Sequence, residues 1–406
     1  MSSQTPFDSR TRNIRARRVL ALAASTVLLS SALAACGSGG GSSSDGDTVK
    51  FGFLAEQSGT YEEFGRAAKA AADYAVEQIN ADGGLDVDGT KKKVELVVRN
   101  TRSEPAEGSA LATELIAQEG VRFMFGATGL VAPAVFPVTD ASEVLFFEAS
   151  SAATAKIDDT KYMYATLPNT ALRVRITMGA IKENWPDATT VAFLGTDEPT
   201  ANAVKDALDE AAAEVGLEVV AVESVPGGTT DFSGTLARIK SRKPDVLLHV
   251  ADNTNSQATV IRQNNQIEAA SRVMAYAVGC DTAVKAGVKN DYAANPLVGA
   301  DLSKPSNDKA KALASHLEKA LKGDMTYSYA AMWQYDYFGV LAAAIEEAGT
   351  SEDVAAIQKA LSETQYDGAS GQITVADDRT AVFGFDICHV VDGQVEVDHV
   401  EPDAGS

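Results

Sequence analysis

The chain has 406 residues, 45% hydrophobic and 22% charged. That suits about two to three globular domains with buried cores and excludes a largely disordered polypeptide. The formal net charge is −21; without the five arginines and one aspartate of the first 35 residues, 30 basic and 55 acidic residues remain, a net of −25. A body that acidic is repelled by nucleic acid and anionic lipid, so no nucleic-acid partner is expected. A well-solvated surface accounts for the charge, and no cationic ligand follows from it.

Residues 1–18 carry Arg10, Arg12, Arg15, Arg17 and Arg18, and Val19 to Ala35 follow without a charge. A basic segment, an apolar run of 17 residues and small residues before a cleavage point read as an export signal in residues 1–35. Leu33-Ala34-Ala35-Cys36 is similar to a bacterial lipobox, which implies cleavage before Cys36 and lipidation of its thiol. Residues 36–47, rich in glycine and serine, then form a flexible tether. Arg17-Arg18 is a twin arginine, but its flanks fit the twin-arginine export motif poorly, so the ordinary secretory route is expected.

From Thr48 strands and helices alternate. Thr48–Leu54 reads as a strand. Tyr61–Asn80 reads as a helix, with Phe64, Ala67, Ala68, Ala71, Tyr74, Ala75 and Ile79 on one face, stopped by Asp82-Gly83-Gly84. Strand Val94–Val98, helix Glu104–Gln118, strand Arg122–Gly126, a helix from about Val131 and strand Val144–Phe147 follow. A second run comprises helix Asn169–Asn184, strand Thr190–Leu194, helix Thr200–Val215, strand Glu218–Val222, helix Phe232–Lys240, strand Asp245–Val250, helix Asn255–Asn264 and strand Arg272–Tyr276. Two runs of alternation with short apolar strands predict an α/β fold of two doubly wound parallel-sheet lobes. The last third differs: Asn307–Lys322 and Ser328–Ala348 read as long helices, and strands at Gly371–Val375 and Val382–Val390 flank the turn Ala376–Arg379. That ending suggests the chain crosses back between lobes. Cys280 and Cys388 remain after Cys36; a disulfide and two separate buried thiols both fit an exported protein.

Open α/β sheets bind ligands at the carboxyl ends of their strands, where helix N-termini turn N–H groups outward. The corresponding loops are Glu56–Tyr61, Ala127–Gly129, Ala149–Thr154, Thr196–Thr200, Asp252–Thr254 and Gly279–Asp281. Several also carry residues suited to plain N-caps. For catalysis the chain offers little. It has no G-x-S-x-G elbow, H-E-x-x-H or P-loop, and its four histidines show no metal-ligand spacing. His249, inside an apolar strand, reads as a core histidine, so no enzyme activity, metal or cofactor is expected.

Ser58-Gly59 with Gly65, Ile79-Asn80-Ala81-Asp82-Gly83-Gly84-Leu85, Asp231-Phe232-Ser233, Trp333-Gln334-Tyr335-Asp336 and Tyr366-Asp367-Gly368-Ala369-Ser370-Gly371 carry a resemblance. From Thr48 to the C-terminus the chain resembles the type I periplasmic binding proteins, in the branched-chain amino-acid-binding group of ABC transporters. The resemblance implies a three-segment hinge near Thr166–Pro168, Ala300–Ser303 and Thr374–Asp377. It thereby implies lobes 48–166 with 302–375 and 167–301 with 376–402, closing on the ligand. It implies that Thr128, Gly129, Ser150, Ser151 and Ala152 hold a ligand carboxylate. Gln57, Ser58 and Tyr61 would add first-lobe contacts; Thr200, Asp252, Gly279 and Cys280 would come from the second lobe. The leucine-binding pattern has a tyrosine where Thr200 stands, another in the Asp252 loop and a glutamate near Gly279. Those departures leave open amino acids, small amides, urea-like solutes and aromatic acids. The implied protein is a monomeric solute-binding lipoprotein of an ABC importer, on the outer face of the cytoplasmic membrane beside its permease. A sensor of the same fold is the alternative.

Overall fold

The computed structural model describes residues 48–148, 157–250, 254–276, 279–295, 302, 305, 307–325 and 327–400. The export signal, Cys36 and the tether lie outside them, as do Ser150, Ser151, Ala152 and Asp252. The strands are β1 Thr48–Ala55, β2 Leu85–Val87, β3 Thr90–Asn100, β4 Phe123–Gly126, β5 Leu145–Glu148, β6 Met163–Ala165, β7 Thr190–Thr196 and β8 Glu218–Val225. They continue as β9 Val246–Val250, β10 Arg272–Tyr276, β11 Tyr292–Asn295, β12 Gln365–Gly368, β13 Gly371–Val375, β14 Ala381–Val382, β15 Phe385–Val391 and β16 Gln394–Val400. The helices are α1 Glu62–Ala81, α2 Pro105–Glu119, α3 Ala132–Ala141, α4 Thr170–Asn184, α5 Pro199–Glu214 and α6 Ser233–Arg242. The remainder are α7 Thr254–Ile267, α8 Asp281–Lys285, α9 Asp308–Ala320, α10 Ser328–Ala348 and α11 Val354–Glu363.

Two large sheets carry these elements. The first runs β2-β3-β1-β4-β5-β6, parallel except where β2 folds back on β3. The second runs β16-β15-β11-β10-β9-β7-β8, parallel from β11 to β8 with the terminal β15–β16 hairpin antiparallel at one side. Each strand order reverses once: between β1 and β4 in the first sheet, and between β7 and β9 in the second. At such a switch point neighbouring loops diverge to opposite faces and leave a crevice.

Side-chain alternation explains why both faces are covered. Phe51 and Phe53 face a core shared with α1 and α10, whereas Leu54 faces the α2–α3 core. In the second sheet Phe193 and Leu194 divide the same way, the first toward α4 and α5, the second toward α6 and α7. Phe338 of α10 stacks on Phe125 with ring centroids 4.0 Å apart, fixing the long helix over the first sheet.

The segments that carried the resemblance are structural fasteners. Asn80 at the end of α1 donates through Nδ2 to the Val94 carbonyl (2.8 Å) and accepts the Val94 N–H (2.9 Å), tying helix to β3. Asp336 on α10 accepts the N–H groups of Ala369 (2.6 Å) and Ser370 (2.9 Å) and the Ser370 hydroxyl, joining α10 to the β12–β13 turn.

Several elements differ from the sequence reading. β2, β6, β11, β12, α8 and α11 were not anticipated, being short or, for the strands, recognisable mainly by their pairing. The segment read as one strand from Val382 divides. Ala381–Val382 pairs with β13 in a small three-stranded sheet, and the chain enters the seven-stranded sheet only at Phe385. Cys280 and Cys388 form a disulfide, Cα atoms 6.0 Å apart, which resolves the alternative left by the sequence.

Candidate functional site

The crevice of the first sheet lies where β1 and β4 end side by side. Backbone conformation there is specialised. Gly126 (φ 92°) and Ala127 (φ 61°) are both left-handed, unusual for alanine, and swing the chain outward after β4. The Ala127 N–H is anchored on the Leu54 carbonyl (2.8 Å). The turn then presents the Thr128 N–H to the carboxyl of Glu56, whose Oε1 accepts it at 2.7 Å. Thr128 also opens α3, its carbonyl accepting the N–H groups of Val131 (2.9 Å) and Ala132 (2.8 Å).

Glu56 is 2% exposed, and burial raises its carboxyl from the ordinary range to about 7, against the opposing hydrogen bonds from Thr128 and its own backbone. No cation pairs with it among the described residues. Its backbone is held equally closely: a Cβ on Gly65 of α1 would lie 2.3 Å from the Glu56 carbonyl oxygen, so only glycine lets α1 approach.

Residues 57–61 are stapled to the end of β3. The Gln57 N–H donates to Asn100 Oδ1 (2.9 Å), Asn100 Nδ2 to Ser58 Oγ (3.2 Å), Ser103 Oγ to the Ser58 carbonyl (3.1 Å) and the Tyr61 N–H to Ser103 Oγ (3.1 Å). Gly59 (φ 92°) turns the chain within this staple. Gln57 and Tyr61 keep exposed side chains, and Ser58 is half-buried with its hydroxyl engaged by Asn100. First-sheet candidates Gln57, Ser58, Tyr61, Thr128 and Gly129 therefore gather at one switch point. The Thr128 N–H, one of the groups the resemblance offers to a ligand carboxylate, is taken by Glu56, while the buried Thr128 hydroxyl has no hydrogen-bond partner among the described residues.

In the second sheet, Thr200 is half-buried in the first turn of α5, beyond the end of β7. Gly279 sits after β10, its carbonyl accepting Gln257 Nε2 (3.0 Å). Cys280 is a correction as far as its thiol is concerned. It is 1% exposed, lies in the α6–α7 core and is bonded to Cys388, so only its backbone can meet a ligand. Beneath the same strand ends lies a polar cluster that the sequence reading did not single out. Arg173 of α4 is fully buried, donates from Nη2 to Thr170 Oγ1 (2.8 Å) and lies 6.0 Å from the Tyr276 ring centroid. Asn295, the last residue of β11, donates to Thr177 Oγ1 (3.0 Å). His249 is the core histidine its strand implied, with Nδ1–H donating to the Leu194 carbonyl (3.0 Å).

Glu56 is the main first-lobe residue missed. Its signal was present: an acid directly after the apolar run Phe51–Ala55 and ahead of Gln57-Ser58-Gly59, where a solvated loop residue would ordinarily start. Arg173 had only its position between Leu172 and Val174, both buried, in the first turns of a helix.

A sequence profile described as periplasmic binding protein matches residues 48–394. The Leu/Ile/Val-binding protein BraC3 of Rhizobium johnstonii is 26% identical over 345 residues, covering 81% of this chain and 88% of that protein. Among solved structures, the branched-chain amino acid transporter substrate binding protein LivJ of Streptococcus pneumoniae, in complex with isoleucine, superposes with a TM-score of 0.69. It is 22% identical and covers 87% of this chain and 100% of that one. An R. palustris ABC-transporter solute binding protein in complex with 4-hydroxybenzoate gives a TM-score of 0.70 at 23% identity, covering 88% of this chain and 99% of that one. The chain thus belongs to the periplasmic binding protein family and is a solute-binding protein rather than an enzyme.

Proposed function

We propose that the chain is an extracytoplasmic solute-binding lipoprotein of an ABC importer, capturing a small polar ligand, an amino acid in the first instance, between two lobes by hinge closure. The observation that carries this reading is the convergence of Gln57, Ser58, Tyr61, Thr128 and Gly129 at the β1–β4 switch point, around the buried carboxyl of Glu56. In this reading Ser150, Ser151 and Ala152 complete the first lobe, and Thr200, Asp252, Gly279 and the Cys280 backbone close from the second. The lobes comprise 48–166 with 302–375 and 167–301 with 376–402. Cys36 carries the lipid that holds the protein beside its permease, on the outer face of the membrane. Closure is a population shift driven by tighter binding to the closed state.

The test is a thermal-shift screen of residues 37–406 against amino acids, small amides and aromatic acids. A ligand at about 100 times its dissociation constant stabilises by roughly 2.7 kcal/mol, enough to move the melting temperature by a few degrees. A shift abolished by Ser151→Ala and Asp252→Ala supports capture at this site. A flat response across the whole panel refutes solute capture of these classes.

A further inference from the structure

The first lobe brings a buried carboxyl to its own candidate binding crevice. Glu56 follows β1 and Thr128 follows β4, the two strands between which the sheet order reverses, and the left-handed turn at Gly126–Ala127 aims the Thr128 N–H at the Glu56 carboxyl. A carboxylate can accept about four hydrogen bonds. Among the described residues Thr128 alone donates to it from elsewhere in the chain, and no lysine, arginine or histidine pairs with it. A buried acid without a cation is a costly arrangement that a cationic partner relieves.

We propose that Glu56 is the specificity-determining acceptor for a protonated amine of the ligand, so that the β1–β4 crevice reads the ammonium end of a small solute. The inference rests on the reading of this crevice as the ligand site and reverses the polarity expected from the resemblance. With the Thr128 N–H already engaged, a ligand carboxylate at this point would face the ionised form of Glu56 and be repelled. An ammonium would face an acceptor held in place by Thr128. Burial keeps the carboxyl near 7, and a cation beside it would draw it down, so binding expels a proton at and below that pH. Among the described residues, the other charged side chains around this end of the sheet are Glu62, Glu63 and Arg66 at the start of α1, Arg102 and Glu104 after β3 and Glu148 at the end of β5. The first five are exposed, with Arg66 paired to Asp324 and Arg102 to Glu107; Glu148 is fully buried. None of them contributes to the Glu56 shift.

The experiment is calorimetric titration of the full-length chain in mild detergent with the protein amino acids, simple alkylamines and the des-amino carboxylates, from pH 5 to 8. The expected result is binding of an amine whose des-amino analogue binds at least tenfold more weakly. Its affinity should fall about tenfold per pH unit below 7 and be level above it. Glu56→Gln retains an oxygen for the Thr128 N–H, so its melting profile should show a folded protein. Its affinity should drop roughly tenfold to a hundredfold and lose the pH dependence. The proposal is overturned if affinity rises on acidification, if the des-amino analogue binds as well, or if folded Glu56→Gln binds unchanged. Binding confined to amides or aromatic acids also overturns it while leaving solute capture intact; no binding by any compound removes both.

Discussion

Replacing Asp336 by alanine should destabilise the first lobe substantially. The side chain is 1% exposed on α10 and accepts the buried N–H groups of Ala369 (2.6 Å) and Ser370 (2.9 Å), together with the Ser370 hydroxyl. Gly368 is what permits this approach, since a Cβ there would lie 2.6 Å from Asp336 Oδ1. In Asp336→Ala two backbone donors lose their acceptor without gaining water, at about 1–3 kcal/mol each. Against that stands relief of the carboxyl's own desolvation, which pushes its pKa upward despite the Ser370 and Ala369 hydrogen bonds. The net expected loss is roughly 2–4 kcal/mol. Asp336→Asn keeps one acceptor but turns an amide N–H toward a donor, so a smaller loss of about 1–3 kcal/mol is expected. Urea unfolding followed by far-UV circular dichroism measures this as a lower midpoint at unchanged slope. An Asp336→Ala midpoint corresponding to less than about 0.5 kcal/mol would refute the assignment of these bonds as the link between α10 and the β12–β13 turn.

Other perturbations probe different parts of the frame. Glu56 is raised from 4.5 to about 7, so the folded chain holds that proton more tightly than the unfolded one. Its contribution to stability is therefore greatest below pH 4.5, declines as pH rises to 7, and is lost above it. The decline is worth up to about 3 kcal/mol, and Glu56→Gln should remove it from the pH dependence of the urea midpoint. Identical pH profiles for the two proteins would contradict the burial of this carboxyl. The Cys280–Cys388 bond spans 108 residues of sequence, so Cys280→Ala with Cys388→Ala should cost about 2–5 kcal/mol. Calorimetric melting with and without reductant checks it, and a reductant-insensitive wild type would exclude the bond. Gly65→Ala should lose about 1–3 kcal/mol because its methyl meets the Glu56 carbonyl. The helix propensity of alanine alone would predict a gain instead, so the sign of the midpoint change decides between the two effects.

Much of the architecture was legible because it is written in local periodicities. Apolar strands such as Thr48–Ala55 and amphipathic helices such as Glu62–Ala81 bury a face set by spacing alone. Caps were similarly local: Asn169 accepts the Leu172 N–H (3.0 Å) and Asn307 the Ala310 N–H (2.8 Å), close to where their helices were expected to start. Short elements escaped this logic. β11 is four residues long, and its status as a strand comes from β10 on one side and β15 on the other.

For the candidate site, the sequence by itself identified which loops follow strands and which carry hydroxyl, amide and acidic groups. Tertiary structure alone decided what those groups do. Glu56 and Thr128 are 72 residues apart, and only the β1–β4 neighbourhood converts two loop residues into one hydrogen-bonded unit with a desolvated carboxyl. The Cys280–Cys388 pairing, across 108 residues, likewise had to await the geometry of β15 beside β11. Asp336 and Ser370 stood in two segments of recognisable pattern, yet their contact is a property of how α10 lies over the β12–β13 turn. The physical division is plain: periodicity and capping act over a few residues and survive in one dimension. Burial, pKa and hydrogen-bond partnership depend on what the folded chain brings alongside.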